Sequence, residues 1–322
     1  MAAPAARSGR LPFRTYRVPS PKTGARMGEV AVCPEDGRLS IWYARPAPHL
    51  APYITAYDAY RADLPPGEEA GDVFPPGWAA IRVMPRREPW GARLFRRRFD
   101  PAPDRALFGP TSYAGFSRFG RGRMACAGLT PLGWARFVRR DASRFANRIG
   151  PLDAVWPDAA PALAAALADA DDPAAVFDRF FTGLLERTEP EDPVVAELLP
   201  LLLDPTVLTI AELSARLGIS PRALGRVSTV HFGFTPKLLL RRARFMRAMI
   251  DLLRAERGSW APLVVRAGYH DQSHFVRDCQ LFLGEPMSAF VQRRKPLFEA
   301  SLRLRATVLG VPAQALHPLP EG

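Results

Sequence analysis

Two stretches of the chain, fifty residues apart, place a turn glycine and a locking hydrophobe at nearly the same spacing. That recurrence narrows the fold more than any other feature. In the first stretch Ile210, Leu213 and Leu217 form an apolar stripe at helical spacing. Ser214 is a small residue where two helices can cross, Gly218 supplies a positive-φ turn, and Leu224 locks a second helix onto the first. Ser220 is a natural N-cap and Pro221 suits the first helical position. In the second stretch Val264 stands at the crossing, Gly268 in the turn and Phe275 at the lock, with Asp271 as the cap. Its turn is one residue longer. Each stretch therefore reads as a helix-turn-helix unit.

Between them Lys237–Ala255 reads as one long helix, with Leu240, Ala243, Arg244, Arg247, Ile250 and Leu253 along it. An aromatic-rich close follows each unit: Phe234 and Pro236 after the first, Phe282 and Pro286 after the second. A single stiff rod holds two second helices at a set separation. Two such helices about one DNA turn apart can enter successive major grooves on one face of a duplex.

Charge points the same way. The net charge is +12 over 322 residues, an excess that favours polyanions. It is uneven: residues 205–305 carry 17 Lys/Arg against 7 Asp/Glu, and residues 1–204 carry 27 against 24. Arginine supplies 41 of the 44 basic residues beside 34 prolines, so abundance alone marks no single arginine as functional. Arginine nonetheless brings a planar fork suited to phosphate and guanine edges.

The rest of the chain has a different texture. Residues 1–35 are rich in Pro, Gly and Arg and are expected to be a loose arm with a first strand. Over 36–130 the strand candidates are Leu39–Tyr43, Ile54–Tyr60, Trp78–Met84, Leu94–Phe95 and Met124–Leu129, broken by Pro65-Pro66-Gly67 and Pro75-Pro76-Gly77. Helical candidates follow at Leu132–Phe145, Pro161–Ala170 and Pro173–Arg187. The polar, proline-punctuated run from Thr188 to Pro193 reads as a boundary. The expected fold class is α+β. Residues 1–190 form a β-rich sensing or dimerising domain with its own helices, a cupin-like barrel being one candidate form. Residues 191–305 form an all-α domain of two helix-turn-helix units on a linker helix, and 306–322 a flexible tail.

Residues 194–292 resemble the DNA-binding domain of the AraC/XylS family. The resemblance is carried by Ser220 to Arg226, by Phe232 to Lys237, by Arg244 to Ala248, and most strongly by Ala267 to Phe275 with Arg277 and Asp278 behind it. Two departures stand out: Pro286 comes one residue early in the second closing motif, and Cys279 occupies a usual aromatic position. Phe108 to Thr111, Gly128 to Gly133 and Leu152 to Trp156 resemble, more weakly, the N-terminal sensor-like domain of one AraC-type subgroup.

By that resemblance the groove-facing positions are Arg222, Gly225 and Arg226 in the first unit, and Gln272, Ser273, Val276 and Arg277 in the second. The chemistry agrees: Arg can take guanine bidentately, Gln adenine, and Val a thymine methyl. Gly225 offers no side chain, and Ser273 equally suits a helix start. Lys237, opening the linker helix, is placed to meet a phosphate. For each arginine the rival is a solvated helix face. Arg241, Arg242, Arg293 and Arg294 are expected to be mostly solvated.

The resemblance implies a sequence-specific transcriptional regulator acting in the cytoplasm on double-stranded DNA. RNA polymerase, a small-molecule effector and a second copy of the chain are candidate partners. Trp42, Tyr43, Trp78, Trp90, Phe116 and Phe119 read first as core and second as an effector pocket lining. No cofactor, metal or catalytic residue is expected: Cys33, Cys126 and Cys279 lie far apart, and His270 and His274 lack a third ligand. The rivals are a non-specific architectural DNA-binding protein and, further off, a DNA-modifying enzyme fused to this module. No apolar run spans a bilayer, and the N-terminus has no signal-peptide core.

Overall fold

The computed structural model describes residues 37–255 and 260–319, with strands β1 (Thr15–Tyr16) and β2 (Val30–Val32). The expected loose arm lies, those strands apart, outside the described residues. Alternating side chains build the first half. Strands β3 (Leu39–Ala44), β4 (Ile54–Ala62), β5 (Ala70–Phe74), β6 (Ala80–Arg87), β7 (Trp90–Leu94) and β8 (Arg97–Phe99) are followed by β9 (Arg105–Phe108), β10 (Gly115–Phe119), β11 (Gly122–Leu129) and β12 (Ile149–Pro151). They form two antiparallel sheets, ordered β1-β2-β3-β4-β11-β6-β9-β12 and β5-β10-β7-β8. Among the described residues no ladder joins the two sheets, so the expected cupin-like barrel does not close.

The period-2 pattern sorts residues to the two faces of the larger sheet. Tyr57, Ile81, Val83, Ala125, Ala127 and Leu129 pack on helices α2 (Ala159–Ala168) and α3 (Pro173–Leu185). Phe177 of α3 stacks on Tyr57 at 5.2 Å, and Asp178 accepts from Tyr57 Oη at 2.9 Å and Ala47 N at 2.8 Å. The opposite face, with Tyr60, Arg82, Met84, Met124 and Cys126, looks across a cavity to the smaller sheet.

Several sequence expectations are corrected. Leu132–Phe145 is not one helix. A short α1 (Pro131–Gly133), capped by Thr130, runs into a wide π-turn over Trp134–Val138. Arg139 then turns left-handed at φ 54°, and Trp134 Nε1 donates to Arg140 O at 2.7 Å. That bond fixes the chain outside the helix. The expected strand Leu94–Phe95 ends at Leu94, because Phe95 sits at φ 52° in a turn. Strands β5, β8, β9, β10 and β12 escaped the sequence reading. They are short and carry Gly, Arg or Pro, so cross-strand pairing rather than propensity holds them.

The second half is helical: α4 (Pro193–Leu203), α5 (Ile210–Leu217), α6 (Pro221–Phe232), α7 (Pro236–Arg254), α8 (Ala261–Arg266), α9 (Gln272–Phe282), α10 (Met287–Gln292) and α11 (Pro296–Leu309). Residues from 306 onward are not a loose tail as far as the structure describes them. α11 continues to Leu309, and Ala313 and Ala315 are buried around a 3-10 turn, Gln314–Leu316. Leu297, Ala300 and Leu304 bury themselves against Leu39, Ile41, Tyr43, Ala56, Ala62 and Leu64 of the N-terminal half. The start of α11 is held by Asp72 of β5, whose carboxyl accepts from Leu297 N at 2.7 Å and Phe298 N at 3.2 Å.

Asp72→Ala removes a buried acceptor from two N–H groups of a helix start. It is expected to lower unfolding free energy by about 1–3 kcal/mol in urea denaturation. An unchanged midpoint and slope would show that α11 is held by its apolar face alone.

Candidate nucleic-acid interface and adjoining cavity

The first unit is built as its spacing foretold. α5 starts with a capping box: Glu212 N donates to Thr209 Oγ1 at 3.2 Å and Thr209 N to Glu212 Oε2 at 2.9 Å. Gly218 closes α5 at φ 65°, a conformation that glycine enters without a Cβ penalty. Ser220 Oγ accepts from Ala223 N at 3.2 Å, and Leu224 is fully buried. Leu224, Ser228 and Phe232 face inward, and Arg222 and Arg226, four apart, face solvent. A Cβ on Gly225 would meet nothing within 4 Å; within the protein this glycine answers no steric demand.

The second unit matches it. Gly268 turns at φ 84°, Asp271 Oδ1 accepts from His274 N at 2.7 Å, and Phe275 is buried. On α9, Phe275, Asp278, Cys279 and Phe282 face inward. Gln272, Ser273 and Arg277 are exposed, and Val276 is 46% exposed, unusual for a valine. Lys237 is exposed in the first turn of α7. Among the described residues, no ion pair joins Arg222, Arg226, Lys237 or Arg277 to a carboxylate. His274 donates no metal-site geometry: its Nε2 lies 3.2 Å from Arg244 Nη2, and its ring meets Tyr269 edge-on. No group of three or more metal-ligating side chains occurs among the described residues.

Two buried charges organise this region, and the sequence reading assigned a role to neither. Asp278 is fully buried and accepts from Tyr269 Oη at 2.7 Å and Arg241 Nε at 2.5 Å. It ties α9 to the linker helix, and with burial it pushes the Tyr269 phenol well above its usual range. A signal was present: an acid behind a recognition helix, with Arg241 and Arg244 one turn apart on the linker. Arg242 was expected in solvent and is instead 1% exposed. Its Nη1 donates to Gly77 O at 3.1 Å and Thr111 O at 2.8 Å, and its guanidinium lies 4.0 Å over the Trp78 ring. Burial draws its pKa down to about 9, which still leaves it charged at neutral pH. The carbonyls it needs lie in a different domain, so no local pattern points to it. Of the other basic pair, Arg293 is held by Glu285 at 2.7 Å.

Beside Gly77 and Trp78 lies the cavity, of about 190 Å³. Of the aromatics proposed as pocket or core, Tyr43, Trp78, Trp90 and Phe119 line it. Trp42 packs toward the α2–α3 side, and Phe116 sits between the guanidinium groups of Arg93 and Arg293. Asp58, Arg82, Cys126 and Arg305 bring polarity. Burial raises the Asp58 carboxyl, and Arg82 and then Arg305 oppose that rise. Burial and Asp58 push the Cys126 thiol well up, away from the thiolate that redox chemistry needs.

A family model described as a helix-turn-helix domain matches residues 213–293, from the first unit's opening helix to the end of α10. The chain thus contains a helix-turn-helix domain over those residues. Among solved structures, ToxT from Vibrio cholerae is 11% identical with a TM-score of 0.40, covering 73% of this chain and 97% of its own. The AraC-like transcriptional activator CuxR is 13% identical with a TM-score of 0.29, covering 65% and 80%. Overlays this loose set no residue of one chain on a residue of the other. No curated protein matches the chain. No helix among the described residues is long and apolar enough to cross a membrane.

In the helix-turn-helix domain Asp278 joins α9 to the linker helix α7. Asp278→Ala strands the Tyr269 hydroxyl and is expected to cost about 2–4 kcal/mol, with DNA binding falling alongside stability. A cooperative melt at the wild-type temperature would remove that role.

Proposed function

We propose that the chain regulates transcription by reading two successive major grooves, α6 entering one and α9 the next. Arg222, Arg226, Gln272, Ser273, Val276 and Arg277 meet bases or the adjoining phosphates, and Lys237 meets a phosphate. Gly225 leaves the backbone of α6 bare toward the duplex. The observation that carries this reading is the pair of capped, outward-facing helix starts whose cations have no carboxylate partner. Unpaired cations on an exposed helix release counterions when they meet phosphate, so affinity falls steeply with salt. Residues up to about 190 act as the sensor and residues 191–305 as the reader, with the cavity as an effector site. RNA polymerase, a second copy of the chain and a cytoplasmic location are carried forward on the resemblance alone.

The sensor reaches the reader through Arg242. Its side chain lies on the linker helix between the two units, and both its acceptors lie beside the cavity. An effector that shifts Gly77 or Thr111 thereby shifts the rod that spaces α6 from α9.

Footprinting of the full chain on genomic fragments, with unrelated DNA as competitor, tests the central reading. A protected asymmetric site surviving excess competitor is expected; uniform protection that competitor abolishes would favour the architectural rival. Within such a site Arg277→Ala is expected to cost about 1–3 kcal/mol at one base position. Unchanged affinity and preference would withdraw Arg277. Arg242→Met, which keeps the apolar stem and drops the two donors, is expected to retain DNA binding and to lose the response to effector. A variant responding as wild type would break the link drawn here.

A further inference from the structure

The cavity is completed by chain that lies beyond the matched helix-turn-helix region. Leu297, Phe298, Ser301, Leu302 and Arg305 of α11, with Gln314 of the 3-10 turn, form one of its walls. That wall is anchored to the sensor. Tyr43 Oη and Ser301 Oγ lie 2.7 Å apart, and Arg45 Nε donates to Val308 O at 2.7 Å. Gln314 Nε2 donates to Ala79 O at 2.9 Å. Its amide fits a slot kept open by two glycines: a Cβ on Gly77 or on Gly128 would come within 2.7 Å of it.

Arg305 is the unusual member. It is 5% exposed, yet its Nε and Nη2 have no hydrogen-bond acceptor among the described residues. Its guanidinium lies 5.5 Å from the Tyr43 ring centroid, a contact that eases the charge without satisfying the donors. The other cation of the cavity, Arg82, lies 4.0 Å over the Phe108 ring and acts on Asp58 more strongly than Arg305 does. Asp72 is also engaged, accepting from Val73, Leu297 and Phe298. Buried guanidinium donors left without acceptors are costly, and a carboxylate is the group their fork geometry fits. The rest of the lining is mixed, with Phe74, Trp90, Phe108 and Phe119 supplying aromatic surface beside aliphatic Val73, Met84 and Met124.

We propose that the cavity takes a small organic anion, a carboxylate on an aromatic body, and that Arg305 receives the carboxylate. The proposal rests on the reading of the cavity as the effector site. It makes a residue C-terminal to the second helix-turn-helix unit part of the sensor. α11 begins four residues after α10 ends, and Phe298 meets Phe290 of α10 edge-on at 5.6 Å. An anion drawn to Arg305 thus acts on the helix that closes the second helix-turn-helix unit, independently of Arg242.

The test is calorimetric titration of the full chain with 2-naphthoate and with its neutral isostere 2-naphthamide. The wild type is expected to prefer the acid by about tenfold or more, the worth of one charge-assisted pair. Arg305→Met is expected to bind both at the amide's affinity, and Arg305→Lys to recover part of the preference. Equal affinity for acid and amide in the wild type would overturn the anion assignment while leaving the cavity reading standing. An acid preference surviving in Arg305→Met would move the anion to another cation and overturn the role of Arg305. Binding of neither probe would sink the proposal and the cavity reading together. If Arg305→Met fails to fold by its melting curve, the wild-type comparison and Arg305→Lys decide the outcome.

Discussion

The arrangement of this molecule depends on a guanidinium buried without a carboxylate. Arg242 leaves the linker helix, enters the N-terminal half and finds only carbonyl oxygens and the face of Trp78. Neutral acceptors leave the charge formally uncompensated, so the contact tolerates little displacement: losing either carbonyl would strand a buried donor. A helix held in that way cannot rotate freely against the sheet. The linker helix between the two helix-turn-helix units is therefore indexed to the Pro75–Trp78 turn and to Thr111, and those residues also border the cavity.

A second index works at the opposite end of the reader. α11 leaves the helix-turn-helix region and returns to the N-terminal half, where Asp72 holds its first turn and Leu39, Ile41 and Tyr43 receive its apolar face. The backbone bond from Ala114 N to Phe282 O, at 2.6 Å, adds a point between the two. Each helix-turn-helix unit thus has its own tie to the sheets: the first through the linker and Gly233, which abuts Pro110, and the second through α10 and α11. The two halves form a clasp in which strands and α11 share the walls of one cavity, and two separate ties join the sheets to the helices.

Much of the reader was legible in sequence because its rules are local. A positive-φ glycine, a cap two or three residues on and an apolar lock six or seven residues after the glycine all act within one helix pair. Gly218, Ser220 and Leu224, and later Gly268, Asp271 and Phe275, behave as their spacing indicated. The exposed side of α9, down to Val276, follows from the same 3.6-residue period. The N-terminal half was less legible. Its central strands β3, β4, β6 and β11 alternate clearly, but β5, β9, β10 and β12 are short and hold little propensity of their own. The helix expected over Leu132–Phe145 broke because Arg139 turns left-handed and Trp134 bonds back to Arg140.

Sequence by itself determined the helical reader: two turns, two caps, one rod, and a surplus of positive charge on that third of the chain. Only tertiary structure decided where three charges of that third lie. Arg242, Asp278 and Arg305 sit on helix faces that look ordinary in one dimension. Whether such a face meets water, a neighbouring helix or a distant sheet is set by packing between elements far apart in the chain, and a residue's desolvation has no signature in its neighbours along the sequence.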